Sequence, residues 1–362
     1  SRGVSVKFDW LLDGSSASHD IEVGFRYHQD EEDRLQRSDK YTQVDQTLIV
    51  DSIGVTGGNK NNRVVQAEAL AIYIKDDITF GNFIVTPGVR FEDIKLERRD
   101  WSTLPRNTTP SLKQNSVTAV LPSIGVLYNV NDNLSLLAGA YNGFGTPTTT
   151  SGVDEEQALN VELGGRYQQA DLMIELIAFT SDYENLVGEC TASSSTSDCD
   201  IGDQFNGGQA TVRGLEFQLT NSFQLTDSTT MPVSIAYTYT DAEFDSTFDG
   251  EFFGDVSKGD PIPYIPKTQV ALALGLENGP YRVNANLNYV DAVCVKASCV
   301  DFEKTDDSTV LDLVGNYQVN DNLGVYLRLE NITDEADIIA RQPKGARPNK
   351  ARSATIGMRL VF

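Results

Sequence analysis

Arginine is the residue type through which this sequence could recognise a ligand. A guanidinium group binds carboxylate or phosphate oxygens through two parallel hydrogen bonds, so clustered arginines favour an anionic ligand. The candidate binding residues lie in polar stretches that read as loops: Arg34, Arg37, Arg63, Arg98, Arg99, Arg106, Arg341, Lys344 and Arg347. Each of them has a second interpretation, as an ordinary surface charge that pairs with a nearby acid or with a membrane phosphate.

The titratable residues do not form a catalytic set. The only histidines are His19 and His28, and no Ser/His/Asp grouping surrounds them. The acidic run Asp30–Asp33 could attract a hard cation, but it lacks the glycine and the ligand spacing of a calcium loop. We therefore expect neither an enzyme nor a resident metal or cofactor, and we interpret most carboxylates as a solvated surface.

The four cysteines fall in two close pairs within polar stretches. Cys190 and Cys199 enclose TASSSTSD, and Cys294 and Cys299 enclose VKAS. A zinc site needs shorter spacings and further ligands, so the pattern favours two loop disulfides, Cys190–Cys199 and Cys294–Cys299. Disulfides of this kind indicate an oxidising compartment.

Charge and hydropathy argue against two classes of protein. The chain has 52 acidic and 29 basic side chains and a net charge of −23. No basic stripe is available to neutralise the phosphates of a nucleic acid, so a nucleic-acid partner is not expected. No apolar run reaches the length of about 18 residues that a transmembrane helix requires.

Alternation of apolar and polar residues dominates the chain and predicts an all-β protein. YRVNANLNY (281–289) is the clearest case, and RGLEFQLT (213–220) and LGVYLRLEN (323–331) alternate in the same way. The pattern predicts about fifteen strands, over residues 2–12, 17–29, 63–76, 82–97, 115–130, 133–145, 155–169, 171–186, 209–224, 228–242, 266–277, 280–292, 306–319, 322–333 and 352–362.

The predicted connections are of two alternating kinds. Short ones carry turn residues at 13–16, 131–132, 170–171, 278–279 and 320–321. Long polar ones cover about 30–62, 98–114, 146–154, 186–208, 243–265, 293–305 and 334–351. Short turns at one end and long loops at the other are typical of an antiparallel transmembrane β-barrel.

The apolar face of each strand needs an apolar partner. The strands are long enough to cross a bilayer at a tilt, and tyrosines gather near their ends, as they do at membrane interfaces. A large soluble β protein is the alternative. In the last strand Ile356, Met358, Leu360 and Phe362 share one side, which we expect to face lipid while the strand closes the sheet, because hydrocarbon does not tolerate an open edge.

Several segments together resemble the TonB-dependent outer-membrane receptors, particularly the branch that includes ferric-citrate receptors. The resemblance runs over essentially the whole chain. Its most specific pieces are VGFRYHQDEEDRLQ (23–36), TPGVRFEDI (86–94), ALNVELGGRYQQADLMIELIAFTSDYENLV (158–187), ATVRGLEFQL (210–219), IPYIPKTQVALALG (262–275) and LENITDEADIIARQPKGARPNKARSATIGMRLVF (329–362).

The resemblance implies a 22-stranded barrel closed by an N-terminal plug, in the outer membrane of a Gram-negative bacterium. It also implies that the intact receptor binds a ferric chelate, a siderophore or ferric citrate, on its outer loops and draws energy from the TonB complex. Outer-membrane lipid, lipopolysaccharide and the barrel-assembly machinery are further implied partners.

At its N-terminal end this sequence departs from the family pattern. No plug-like segment or TonB-binding box is found, and the predicted strands would match strands 8 to 22 of such a barrel. We therefore expect residues 1–362 to be the C-terminal portion of the barrel, with the TonB complex contacted through a region outside them.

Two alternatives fit the same pattern. A receptor of this architecture could carry cobalamin, a saccharide or another metal, and a barrel without transport could have a structural or adhesive role. Arginines expected to face the barrel lumen alternate with glutamates, and we interpret them as structural ion pairs: Arg26, Arg90, Arg166, Arg282, Arg328 and Arg359.

Overall fold

Fifteen strands form one antiparallel sheet, which confirms the predicted all-β class. The computed structural model describes residues 1–53, 61–102, 104–150, 152–189, 204–250, 253–341 and 345–361. The strands of the sheet are β1 (Arg2–Asp13), β2 (Ser18–Gln36), β3 (Asn61–Phe80), β4 (Phe83–Asp100), β5 (Ser111–Asn129), β6 (Leu134–Gly145), β7 (Glu156–Gln169), β8 (Leu172–Tyr183), β9 (Ala210–Thr226), β10 (Thr229–Phe244), β11 (Thr268–Asn278), β12 (Tyr281–Val290), β13 (Ser308–Asn320), β14 (Leu323–Glu330) and β15 (Ser353–Leu360).

Each strand pairs with its neighbours in chain order, so the sheet is a continuous meander. Short connections alternate with long ones along it. The short ones are residues 14–17, 81–82, 130–133, 170–171, 227–228, 279–280 and 321–322, and the long ones are 37–60, 101–110, 146–155, 184–209, 245–267, 291–307 and 331–352. Gly81 and Gly279 have φ values of 54° and 53°, a left-handed backbone that glycine adopts without steric cost.

Strands β2–β5 are longer than the alternation predicted. They contain 19, 20, 18 and 19 residues. Residues 30–36 and 98–100, which read as loop, continue the ladder, with Arg34 opposite Arg63 and Arg63 opposite Asp100. The loop prediction was wrong there because it relied on apolar alternation. Where both faces of a sheet meet water, neither needs to be apolar, and backbone pairing persists after the hydrophobic pattern ends.

The two faces of the sheet differ in exposure. Ala71 and Glu92 lie on one face and are 4% and 6% exposed, whereas Phe91 and Val120 on the other are 36% and 61% exposed. A curved sheet shields its concave side. We therefore name the face with Glu92 the inner face and the face with Phe91 the outer face.

Aromatic side chains of the outer face stack near the short turns. Phe83 stacks on Phe80 and on Tyr128, with ring centroids 5.6 and 4.5 Å apart. Tyr281 stacks on Tyr317 at 4.8 Å. Aromatic rings at one end of an apolar band are typical of a membrane-interface girdle.

The long connections contain short hairpins of their own. Their strand pairs are Lys40–Val44 with Thr47–Ser52, Val187–Glu189 with Gln204–Asn206, Phe248–Gly250 with Gly254–Val256, and Ile338–Ala340 with Arg347–Pro348. One 3₁₀ turn covers Asp301–Glu303. In the described part of the chain no helix has the length and apolar character to cross a membrane.

Three of the long connections pack against each other over one half of the sheet. The residues of this loop core are Ala210, Ala242, Phe244, Phe253, Val256, Ile262 and Ala297, each at most 9% exposed. Phe244 is fully buried and meets the edges of the Phe248 and Phe253 rings at 5.5 and 5.1 Å. The loop core fixes the positions of connections 184–209, 245–267 and 291–307 relative to one another.

The edges of the sheet are β1 and β15. Among the described residues β1 pairs only with β2, and β15 pairs only with β14. Ile356, Met358 and Leu360 lie together on the outer face and are 83%, 69% and 52% exposed. Phe362, predicted to continue this row, lies outside the described residues.

Candidate functional site

Three of the candidate arginines meet on the inner face, at the long-loop end of β2, β3 and β4. Arg34 and Arg63 are direct cross-strand partners, and Arg98 lies opposite Val65, two residues further along β3. Directly opposite side chains in an antiparallel pair have Cβ atoms about 4.5–5.5 Å apart. We call Arg34, Arg63, Arg98 and the neighbouring Lys113 the outer basic cluster.

Lys113 was missed by the sequence analysis. It is the cross-strand partner of Arg98 on β5 and therefore lies on the same inner face. Residues 98–114 read as a loop in the sequence, and a loop gives no basis for assigning faces. The signal that could have found Lys113 is the period of two continued back from Val117, through Asn115 to Lys113.

The electrostatics of the cluster show a local excess of positive charge. Burial lowers the pKa of the Arg63 guanidinium, and repulsion from Arg98 and Arg34 lowers it further, while Glu32 and Asp100 act in the opposite direction. The Nε atom of Arg63 is buried and has no hydrogen-bond partner in the described structure. A buried donor without a partner is costly, so an incoming acceptor would be favoured there.

An acidic residue and a group of buried apolar residues lie near the cluster. The Nε atom of Arg98 lies 2.8 Å from a carboxylate oxygen of Asp100, and the Arg98 side chain is only 15% exposed. Further along the inner face Ala69, Ile94 and Val117 form a small buried cluster, against which Phe144 packs. A ligand bound at this end of the inner face would therefore contact guanidinium groups on its long-loop side and apolar side chains on its short-turn side.

Arg99 and Arg106 belong to the opposite side of the sheet. Arg99 is adjacent to Arg98 in β4 and so points to the outer face, where it donates to Gln66 Oε1 at 2.5 Å. Arg106 lies in connection 101–110, donates to Asp33 at 2.7 Å and stacks over the Trp101 ring at 4.9 Å. Neither joins the outer basic cluster.

The remaining candidates are separated from the cluster. Arg37 follows β2 and lies 3.9 Å from Asp39. Arg341 donates through Nε to the Lys304 carbonyl at 2.5 Å and lies over the Phe302 ring at 5.0 Å, so it links two loops. Arg347 is exposed in the Arg347–Pro348 strand, and Lys344 lies outside the described residues.

The prediction that all these residues lie in loops was wrong for Arg34, Arg63, Arg98 and Arg99. All four lie in the long strands β2, β3 and β4. A strand fixes the side on which each residue lies, whereas a loop does not. The strands therefore divide the candidates into an inner group and an outer group.

The structure joins Cys294 and Cys299 by a disulfide, with Cα atoms 5.6 Å apart. The bridge lies in connection 291–307 beside Val295 and Ala297, which are 5% and 1% exposed. Cys190 and Cys199 lie outside the described residues, so their pairing stays a prediction.

Inner-face ion pairs occur further from the rim. Arg90 donates to Glu92 at 2.6 Å, and Arg166 donates to Glu175 at 2.6 Å. Both arginines are thus held by a carboxylate of the sheet itself, in agreement with their interpretation as structural pairs.

Comparison with known proteins places the chain among receptors. The family described as "TonB dependent receptor-like, beta-barrel" matches residues 2–332. The metal-pseudopaline receptor CntO of Pseudomonas aeruginosa (strain UCBPP-PA14) is 25% identical over 294 residues, which cover 76% of this chain and 38% of that receptor.

Solved receptor structures share the fold. The siderophore receptor PiuA from Acinetobacter baumannii has a TM-score of 0.78 at 18% identity, over 98% of this chain and 55% of that one. The ferric citrate transporter FecA in its unliganded form has a TM-score of 0.73 at 20% identity, over 98% and 53%. The chain therefore spans about half the length of these structures, and less of its curated relative. By the match over residues 2–332, the chain belongs to the TonB-dependent receptor-like β-barrel family.

Proposed function

We propose that the intact protein is an outer-membrane receptor of a Gram-negative bacterium that takes up an anionic ferric chelate with energy from the TonB complex. The cargo is a siderophore or ferric citrate with carboxylate or similar oxygens. The TonB complex acts through a region outside these 362 residues. The barrel-assembly machinery inserts the protein, and lipid and lipopolysaccharide surround it.

The observation that carries this proposal is the outer basic cluster. The chain as a whole has a net charge of −23, yet Arg34, Arg63, Arg98 and Lys113 lie close together at the long-loop end of the inner face, where Glu32 and Asp100 are the acidic residues that act on Arg63. An acidic surface repels anions, so a local group of cations is what an anionic cargo requires. Guanidinium groups bind carboxylate oxygens in a bidentate geometry.

The test is chelate binding to the intact purified protein with Arg63→Gln and Arg98→Gln, singly and together. A hydrogen bond to a charged group contributes about 1.5–3 kcal/mol, so each single change should weaken ferric citrate or siderophore binding by roughly ten- to a hundredfold. Arg99→Gln is the matched control, because Arg99 is adjacent in sequence but lies on the outer face.

Equal losses for Arg98→Gln and Arg99→Gln would contradict the inner-rim site. A deletion strain that grows normally on the chelated iron would contradict the uptake function itself.

A second candidate is a chelate of a metal other than iron. The observation that favours it is the relative CntO, whose name assigns it a metal-pseudopaline cargo. Competition separates the two: the iron form of a chelator should displace a labelled cargo at lower concentration than its zinc or nickel forms. The reverse order would favour the second candidate.

A further inference from the structure

Four hairpins of the sheet are closed by the longest connections of the chain. They are β2–β3, β8–β9, β10–β11 and β14–β15, and their connections are 37–60, 184–209, 245–267 and 331–352. A short turn sets the register of the hairpin that it closes. A long connection does not, because the free energy of closing a loop changes very little when the loop gains or loses two residues. In these four hairpins the strands themselves must determine the register.

Each of the four hairpins contains a ring that lies over a glycine of the partner strand. The pairs are Tyr73 with Gly24, Phe179 with Gly214, Pro232 with Gly275, and Tyr326 with Gly357. Three of them are direct cross-strand partners, and the proline and glycine of β10–β11 face each other within their ladder. All four lie on the inner face. We call them the ring–glycine pairs.

The rings occupy space that only glycine leaves open. A Cβ atom in place of any of the four glycines would lie less than 3.0 Å from a ring atom of its partner, which is closer than side chains pack. Among the described residues no other glycine of the sheet has a ring atom so close to its Cβ position. The hairpins with shorter connections therefore lack this contact, and the four with the longest connections all have it.

The contacts of Tyr73 show how firmly such a ring is placed. Its hydroxyl donates to Glu22 at 2.7 Å, and the guanidinium carbon of Arg90 lies 5.6 Å from the ring centroid. Glu22 is two residues before Gly24 and lies on the same face of β2, so the ring spans both positions. A displacement of β3 along β2 would break the hydrogen bond and move the ring off the glycine at the same time.

The ring–glycine pairs exclude an error of register that the apolar pattern permits. A displacement by one residue moves every side chain to the other face, so alternation alone excludes it. A displacement by two residues leaves every side chain on its own face. It would place Tyr73 opposite Glu22 or Arg26, where a Cβ atom occupies the space that the ring needs. The same displacement in the other three hairpins also replaces the glycine with a larger residue.

We propose that the four ring–glycine pairs set the register of the hairpins whose connections are too long to set it, while the barrel assembles. Chain order already brings the two strands of each hairpin together, and the ring–glycine pair selects one register among those that keep the same faces. Cross-strand side-chain pairs are the contacts that stabilise one pairing over another in a sheet. The inference concerns the folding of the barrel and does not depend on the cargo.

The experiment measures the register of β2–β3 in the intact protein with pairs of introduced cysteines on the outer face. Phe25→Cys with Ile72→Cys should form a disulfide in the native register, because the two residues are direct partners. Phe25→Cys with Ile74→Cys, or with Leu70→Cys, reports a displacement by two residues in either direction. In the native register these diagonal neighbours are about 7–8 Å apart, which is beyond the reach of a disulfide.

Tyr73→Ala and Gly24→Ala should each raise the displaced crosslinks relative to the native one by roughly two- to fivefold. Tyr73→Ala leaves space and introduces no clash, so it tests the register in a protein that can still assemble. Tyr73→Phe keeps the ring and should behave as the wild type. Gly315→Ala is the matched control, since no atom lies within 4 Å of the Cβ position of this β13 glycine.

An unchanged ratio of crosslinks in both Tyr73→Ala and Gly24→Ala would overturn the inference. Displaced crosslinks in Tyr73→Phe would assign the effect to the hydrogen bond with Glu22, and this too would overturn a role for the ring and the glycine. The crosslinks are measured without cargo. A failure of the cargo proposal would therefore leave this result unchanged, and a failure of the register test would leave chelate binding to be judged on its own.

Discussion

Two regions at the long-loop end of the sheet contain apolar residues, and they differ in how far those side chains are buried. In the loop core, Phe244, Val256 and Ala297 are at most 2% exposed. In the hairpin of Lys40–Val44 and Thr47–Ser52, Leu48 and Ile49 are 66% and 50% exposed. The two regions differ in how many chain segments converge on them.

The loop core is built where three long connections meet. Ala297 N donates to the Phe253 carbonyl and Tyr264 N donates to the Cys294 carbonyl, both at 2.9 Å, so the backbones of different connections are joined directly. In the described part of the chain no backbone hydrogen bond joins the hairpin after β2 to another long connection. An isolated two-stranded hairpin is at best marginally stable. The three connections of the loop core are therefore held rigidly at the long-loop end of the sheet. The hairpin beside Arg34 is expected to have the lower local stability.

The largest effect should come from Phe244→Ala. Loss of a fully buried phenylalanine costs about 3–5 kcal/mol, and here the loss falls on the packing between connections rather than on the sheet. Hydrogen exchange of residues 245–267 and 291–307 should rise strongly, with exchange in 40–52 unchanged. An equal rise in the hairpin would show that the two regions are coupled.

The substitution Asn331→Ala should have the second largest effect. Asn331 is 1% exposed, its side chain donates to the Glu335 and Lys350 carbonyls at 2.8 and 2.9 Å, and it accepts from Glu335 N at 3.0 Å. Each buried group left without a partner costs about 1–3 kcal/mol. Proteolysis within 331–352 should become faster, while the control Asn288→Ala, an exposed position on β12, should behave as wild type. Identical cleavage in both variants would contradict the buried role of Asn331.

Removal of the bridge by Cys294→Ser with Cys299→Ser should have a smaller effect. A sequence separation of 5 closes a short loop, for which the chain-entropy estimate is about 2 kcal/mol. Exchange should increase in 291–307, next to Val295 and Ala297, and remain low around Phe244. Loss of protection from hydrogen exchange throughout the loop core would mean that the disulfide, and not the packing of aromatic rings, stabilises the loop core.

Leu48→Ser should have the smallest effect. The side chain is 66% exposed, and substitutions at such sites usually change the free energy of unfolding by less than about 0.5 kcal/mol. Thermal unfolding and chelate binding should both match the wild type. A marked loss of binding would show that the hairpin closes over bound cargo. The loop core would then have a fixed structural role and the hairpin a role in binding.

The sequence alone determined the repeating architecture. Alternation of period two, as in YRVNANLNY, and turn residues such as those at 170–171 and 278–279 are local properties, and they identified fifteen strands with short and long connections in alternation. The architecture is readable because each strand must present an apolar face, whatever its neighbours are. The resemblance to the family rested on longer segments, such as VGFRYHQDEEDRLQ (23–36) and TPGVRFEDI (86–94).

The sequence did not determine which cationic residues meet. Arg98 and Arg99 are adjacent and chemically identical, yet Arg98 lies on the inner face with Arg63 and Lys113, and Arg99 lies on the outer face, where it donates to Gln66. That division depends on β4 continuing to Asp100, where the hydrophobic pattern has already ended. The sequence also gave no sign of how the loop core packs, because Phe244 lies at the end of β10 while Phe253 and Ala297 come from two different connections. Only the tertiary structure decides such contacts, because register and loop packing depend on residues far apart in the chain.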